Sequence, residues 1–457
     1  MDMHVKKRRN KIAIVGGGPG GLFTALSINQ ERPDLDVTIF EASDRFGGKV
    51  ITGVMQRSGV RYDAGAAELY DYSSLGEDPL KDLVEDLGLE TMPVSGKVFF
   101  FDGQKIDGDA EIRARLGERA RRQIASYTER CRTLFSPESY YAEDLRSPEA
   151  LASAVQTYEE FLSTIEDLTA RRYVETMAHS DVATEPHLTS AMYGIHNWLM
   201  NFPEYMTLYT VHGGLEKVVE KVIEKITANF IFNRRIDTVR QLPDGRYRLE
   251  TRHRPLATPL DFDAVVVALP INHLTQLRFE DPALRTAIGR HLSHYDNPAH
   301  YLRVTMTFDR AFWRDHVEGD YFFLDAFGGC CVYDMSEKTF GQSVPTLGWL
   351  LSGAAALTLG NSSDEEIVRL MLASLPNPIG GQRAQPIESA VHRWAGSVNG
   401  WPMGREIAPE AERHRPDVVR HPNFYVVGDY LYDSTLNGVI ESAQFVADLL
   451  SESTITR

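Results

Sequence analysis

The sequence predicts an α/β fold, and three stretches carry that prediction. Lys11 to Val15 ("KIAIV"), Val37 to Phe40 ("VTIF") and the run "DFDAVVVALP" from Asp261 to Pro270 are short and apolar without polar alternation. Strands of parallel sheets, buried on both faces, read this way. The first two runs flank a helical stretch from about Pro19 to Gln30, closed by Pro33, because the residue before a proline is biased out of the helix. Strand, helix and strand within some thirty residues make a βαβ unit.

Composition narrows the class. A chain of 457 residues is too long for one small core and predicts two or three domains. Hydrophobic content of 43% and charged content of 25% are those of a soluble globular protein. No apolar run reaches the roughly 18 residues of a spanning helix. The net charge of −16 argues against a nucleic-acid binder, which needs clustered Lys and Arg, and mildly favours neutral or cationic small molecules. Three cysteines, with Cys330 and Cys331 adjacent, form no disulfide framework; a reducing, cytoplasmic setting is expected. The start "MDMHVKKRRN" reads as a basic solvated arm, since the apolar run behind it is too short for an export signal.

The glycines after the first strand supply the chemistry. Gly16, Gly18 and Gly21 match G-x-G-x-x-G. The first permits a sharp turn, the second a close approach of backbone to a pyrophosphate, and the third tight packing of helix on strand. The helix N-terminus directs N–H groups and its positive dipole end at the phosphates. Glu41 ends the second strand about twenty positions after Gly21, where a carboxylate accepts from both ribose hydroxyls. An acid there disfavours a 2′-phosphate, leaving FAD or NAD. The domain is therefore Rossmann-like.

A second cluster, "EASDRFGGKVIT", resembles the E-A-x-x-R-x-G-G-(R/K)-x-x-T signature of the FAD-dependent amine oxidase superfamily. That family includes monoamine, polyamine and L-amino-acid oxidases, protoporphyrinogen oxidases and carotenoid desaturases. The resemblance implies FAD, with Arg45 and Lys49 as phosphate contacts and Gly47 and Gly48 as a second close approach. Pro19, Gly20 and Ala42 belong to the same implied cradle. "VRYDAGAAELY" resembles the family's D-x-G-A segment, which implies flavin contacts at Ala66, Ala67 and Glu68. "VHGGLEKVVEKV" resembles its G-G segment before a helix, and Ile236 falls at the position that packs on adenine. At the C-terminus, "NFYVVGDYLYDSTLNGVIESAQ" resembles the segment that seats the flavin. There Gly428 and Asp429 imply a ribityl or pyrophosphate contact. Asn437, Gly438 and Val439 imply a helix start whose free N–H groups stabilise the charge of a reduced flavin.

The implied architecture is amine-oxidase-like, with a discontinuous FAD domain of residues 10–75, 205–285 and 388–457. A mixed α+β substrate domain takes 76–204 and 286–387. Within these, "DPLKDLVEDLGLE" predicts a helix capped by Asp78 and stopped at Gly88, with Leu80, Leu83 and Leu87 in the core. Residues 107–200 are helix-rich, Arg113–Arg122 being a solvated face. Pro243–Gly245 predicts a hairpin turn.

The resemblance implies hydride removal from a C–N bond of a small amine or amino acid, with oxygen as acceptor. A C–C desaturase or isomerase is the alternative. An amine donates hydride only with its lone pair free, so an aromatic, desolvating wall is expected. Trp394, Trp401, Tyr430 and Tyr432 are its candidates, with ordinary core packing as the competing reading. The sequence departs from the family at Arg303, ten residues before Trp313, where many amine oxidases hold a lysine. Arginine stays protonated, so Arg303 either binds a substrate carboxylate or faces solvent. Glu68, where L-amino-acid oxidases carry an arginine shortly after this segment, implies a cationic substrate, a partner such as Arg303, or a rim position in water. No cysteine follows Cys331, so the FAD is expected to be non-covalent unless a histidine serves as its attachment point. The histidines show no metal-like spacing, and association into a homodimer is left open.

Overall fold

Ile12 to Val15 and Val37 to Phe40 are buried on both faces, so the helices that cover them come from the same chain. The computed structural model describes residues 10–142, 146–252, 260–335, 340–341, 343–404, 408–432 and 434–453; the basic arm lies outside them. The chain divides into two units, one of Met1–Val50, Val218–Asp296 and Ile407–Arg457, the other of Ile51–Lys217 and Asn297–Glu406. These breaks differ from the expected 75, 205, 285 and 388. Residues 51–75 and 388–399 pair into sheets of the second unit, at Thr52–Val54, Arg61–Asp63, Leu69–Asp71 and Glu388–Asn399.

The first unit is built on a five-stranded parallel sheet in the order Asn229–Ile231, Asp36–Phe40, Lys11–Val15, Ala264–Val267, Phe424–Val426. Lys11–Val15 lies at its centre. The chain goes to one neighbour first and reaches the other only after residue 260. This reversal opens a crevice at the carboxyl end of the central strand, where α/β sheets bind ligands. Helices Pro19–Glu31 and Leu436–Glu452 pack against one another beside it. The run Asp261–Pro270 is split in two. Asp261–Phe262 joins the hairpin sheet of Thr238–Gln241 and Tyr247–Glu250, while Ala264–Val267 joins the parallel one. Ile236, Val239, Tyr247, Phe279 and Tyr430 share a single apolar core.

The second unit centres on a seven-stranded sheet, ordered Glu388–Asn399, Pro298–Thr307, Thr346–Ser352, Cys330–Asp334, Tyr321–Leu324, Val98–Phe101, Gln104–Ile106. Side chains alternate across it with period two. Leu302, Val304, Met306, Val332, Trp349 and Leu351 point into a buried core. Their sequence neighbours Tyr301, Arg303, Cys331, Tyr333 and Leu350 therefore stand on the opposite face. His392 and Trp394 join them, as the cross-strand partners of Arg303 and Tyr301.

Residues 107–200 are helical in Asp109–Leu134, Leu168–Val182, Ala191–Leu199 and shorter pieces. Helix Pro79–Asp86 starts on Asp78, whose carboxylate accepts from the N–H groups of Tyr72 (2.8 Å) and Lys81 (3.0 Å). Leu80 and Leu87 are core as expected; Leu83 is half-buried and Val84 takes its place. Asp78→Ala is expected to cost about 1–2 kcal/mol, read as an earlier unfolding transition of the second unit than in the unsubstituted protein.

Candidate functional site

In the first unit the glycine turn is assembled by contacts that sort the glycines into two kinds. A Cβ on Gly21 would meet the Gly16 carbonyl oxygen at 2.0 Å, and one on Gly16, at φ +112°, the Ala268 carbonyl oxygen at 2.4 Å. These positions are closed by the chain itself. Gly18 is different: its Cβ would find nothing nearer than the Gly48 Cα, at 3.8 Å. The Gly48 Cβ would in turn lie 3.2 Å from the Gly18 Cα and touch nothing else closely. Two glycines from separate loops thus face an opening that side chains would fill, beside a helix whose N-terminus no side chain caps. Such a cradle fits the phosphates of a dinucleotide.

The surrounding groups hold this geometry. Gly47 N–H donates to the Gly17 carbonyl at 2.9 Å, joining the two glycine loops. Glu41 accepts from Gly17 N–H (2.9 Å), Ser43 N–H (2.7 Å) and Ser43 Oγ (2.8 Å). Arg45 donates to the carbonyls of Phe46 (2.8 Å) and Gly48 (2.7 Å), so its guanidinium staples the second loop. Lys49 Nζ pairs with Asp429 Oδ2 at 3.0 Å, tying that loop to the C-terminal turn.

Two C-terminal expectations are corrected. The helix starts at Leu436, and Thr435 caps it: its Oγ1 accepts from Gly438 N–H (3.1 Å) and its carbonyl from Val439 N–H (3.2 Å). The Val439 and Gly438 N–H groups are satisfied within the helix and are not the expected free donors, while the helix dipole persists there. Asn437 is buried in the same first turn. Tyr430 is core, 1% exposed, with its ring against His291 and Tyr295. Tyr432 donates to Glu410 Oε1 at 2.9 Å. Ile236 is a buried member of the core of this unit.

In the second unit the Asp63–Glu68 segment lies over the polar face of the large sheet. Trp394 Nε1 donates to the Ala64 carbonyl at 2.9 Å, and Tyr62 Oη lies 3.0 Å from His392 Nε2. Ala66 and Ala67 are half-buried between these anchors and Glu68. Arg303 is 3% exposed. It donates to the Asp63 carbonyl at 3.4 Å, stands 4.0 Å from Glu68 Oε2 and stacks 5.4 Å from the Tyr333 ring centroid. Tyr333 Oη donates to Glu68 Oε1 at 2.8 Å, while the buried Oε2 accepts no hydrogen bond. The structure thus brings Arg303, Glu68 and Trp394 together. Trp401 stacks on Tyr193 with ring centroids 6.3 Å apart, and Tyr193 is in turn a neighbour of Tyr70 and Tyr301. Burial pushes the Tyr70, Tyr301 and Tyr333 phenols well up, and the charges of Glu68 and Asp181 add to this. Asp181, Tyr301 and Tyr333 carry no motif of their own in the sequence, and Asp63 enters it only as part of the D-x-G-A segment. The alternation in "YLRV" and "CCVY" was the available signal for the two tyrosines. Among the described residues no cluster could hold a metal ion and no helix is long and apolar enough to cross a membrane.

Burial raises the Asp63 and Asp181 carboxyls to about 7, against partial relief from Arg303 at Asp63. Between about pH 4 and pH 7 the folded protein keeps protons that the unfolded chain releases, so this pair makes stability fall as pH rises through that window. Asp63→Asn is expected to flatten the fall, as read from melting temperature against pH; an unchanged slope contradicts it.

Comparisons with known proteins bear on the family and the fold. The family model described as flavin containing amine oxidoreductase matches residues 19–451. Coproporphyrinogen III oxidase of Staphylococcus aureus (strain NCTC 8325 / PS 47) is 37% identical over 99 residues. That match spans 21% of this chain and only 20% of the relative's own length. Among solved structures, a putrescine oxidase variant from a cofactor-binding redesign aligns with a TM-score of 0.77 at 18% identity, covering 97% of this chain and 99% of that one. Cyclohexylamine oxidase from Brevibacterium oxydans IH-35A aligns at 0.76 and 19%, with the same coverage. At such identities the two structures establish the fold.

Proposed function

This chain belongs to the flavin containing amine oxidoreductase family, which makes it a flavin-dependent oxidoreductase, and from that premise we propose that it oxidises the C–N bond of a small amine or amino acid using non-covalent FAD. The observation that carries the FAD reading is the opening between Gly18 and Gly48, flanked by Glu41, Lys49 and Asp429. Glu41 has acceptor capacity beyond its three protein donors for a ribose hydroxyl. Lys49 offers positive charge to the pyrophosphate. Bound FAD supplies hydride acceptance and, with dioxygen as the acceptor in turn, its own reoxidation. The three cysteines are buried, which supports a non-covalent cofactor.

The residues of the second unit orient and desolvate. Tyr301, Tyr333 and Trp394 offer apolar ring surface that favours an uncharged amine. Glu68 supplies a carboxylate oxygen with no hydrogen bond, and Arg303 a fixed positive charge that cannot serve as a base. Product imine would hydrolyse to a carbonyl compound and ammonia.

The relative from Staphylococcus aureus favours a second reading, dehydrogenation of a porphyrinogen. Such a substrate carries several carboxylates. Glu68 would oppose them and already partners Arg303, so the amine reading fits the charge better.

Purified protein is expected to be yellow, to release FAD on acid treatment, and to bleach anaerobically with an amine or amino acid, then yield hydrogen peroxide in air. Bleaching only by a porphyrinogen, with a fluorescent porphyrin as product, supports the second reading instead. Gly18→Val is expected to keep the apoprotein's melting temperature and lose the yellow colour, whereas Gly21→Ala is expected to destabilise the fold itself. Glu68→Gln is expected to lower kcat/KM for the bleaching amine by about tenfold, as loss of a charge-assisted contact does; unchanged kinetics would remove Glu68 from the site.

A further inference from the structure

The turn after strand Phe424–Val426 is held by a buried hydrogen-bond relay whose polarity can be worked out atom by atom. Gly428 N–H donates to Ser442 Oγ at 3.2 Å. Ser442 Oγ lies 3.0 Å from His414 Nε2, and His414 Nδ1 lies 2.7 Å from the Glu410 carbonyl oxygen. A carbonyl only accepts, so the proton of the ring sits on Nδ1. Nε2 of the neutral imidazole is then an acceptor, and the Ser442 hydroxyl donates to it. That leaves the oxygen of Ser442 to receive Gly428 N–H. Ser442 and His414 are both 0% exposed, so bulk water does not compete for either link. Burial pushes His414 down to about 4, which keeps the ring neutral as the relay requires.

The short helix Glu410–His414 grips the same turn at its far end. Arg413 donates to the Leu431 carbonyl at 3.2 Å, and Glu410 accepts from Tyr432 Oη. On its other flank Asp429 pairs with Lys49. The turn is therefore tethered at Gly428, Asp429, Leu431 and Tyr432. One buried polar chain orients the peptide of Gly428, immediately before the carboxylate that Lys49 binds.

We infer that His414 and Ser442 are positioning residues for the cofactor, which set the orientation of the Gly428–Asp429 turn and through it FAD affinity and flavin reduction potential. This rests on the reading of Gly428 and Asp429 as flavin-site residues. Neither side chain touches the cofactor; each acts through the N–H of Gly428.

The test uses full-length protein stripped of flavin and titrated with FAD, with the midpoint potential of the reconstituted protein measured by dye equilibration. Ser442→Ala and His414→Leu break the relay at different links. His414→Gln restores an acceptor at the place of Nε2. The expected result is about tenfold weaker FAD binding for the two breaking variants, the size of one buried hydrogen bond. A displaced midpoint potential should accompany it, with recovery of both in His414→Gln. Wild-type FAD affinity and potential in Ser442→Ala would overturn the inference, even if its melting temperature falls, because the relay would then be scaffold alone. Failure of the wild-type protein to take up FAD would overturn the underlying reading, and the inference with it.

Discussion

The close approach of Gly21 to Gly16 is the constraint on which the first unit depends. With the Cβ position of Gly21 only 2.0 Å from the Gly16 carbonyl oxygen, no side chain is possible there, and the helix can lie against the central strand. That approach sets the helix N-terminus at the carboxyl end of the sheet, where the strand order reverses. A helix dipole weakens within a turn, so the helix start has to be held close to the strand end for its field to act there. Glu41 and Gly47 then bind the turn through Gly17, Glu41 to its N–H and Gly47 to its carbonyl. The second glycine loop thus inherits its position from the first.

The second unit solves a different problem: how to bury charge on a sheet. One face of its seven strands packs as apolar core and leaves the other to polar residues. Arg303 is almost wholly removed from water there, which is costly without partners. The Asp63 carbonyl, Glu68 and the Tyr333 ring are those partners. The compensation is incomplete, since Glu68 keeps an unbonded oxygen and burial raises Asp63 and Asp181 to about 7. Residual electrostatic demand of this kind is common at sites that bind charged or ionisable molecules.

The C-terminal turn shows how a local pattern can be right in outline and wrong in its donors. Strand, glycine-acid turn and helix occur where the sequence places them. Two of the N–H groups expected to be free, those of Gly438 and Val439, are nevertheless taken by Thr435, a capping residue within the S-T-L-N-G-V string. Tyr430 likewise follows the expected glycine-acid pair, yet the tight bend turns its ring into the core. Whether an aromatic lines a site or fills a core depends on which way a turn points it, and a turn's direction is set by what surrounds it.

The parallel strands, the helix between them, the hairpin at Pro243–Gly245, the Asp78 cap and the reservation of Gly16 and Gly21 for backbone are all legible in the chain's residues alone. Each rests on interactions within a few residues or on the period of apolar positions, which short strings encode directly. The family is legible there too, because the spacing of two glycine clusters about Glu41 is itself a local pattern. Folding alone reveals that Arg303 meets Glu68, residues 235 positions apart in the chain, that Arg45 staples its own loop, and that residues 51–75 pair within the second unit. It alone discloses the relay from His414 to Gly428. These outcomes depend on long-range strand pairing and on the competition of buried groups for partners. No string of neighbouring residues records that competition.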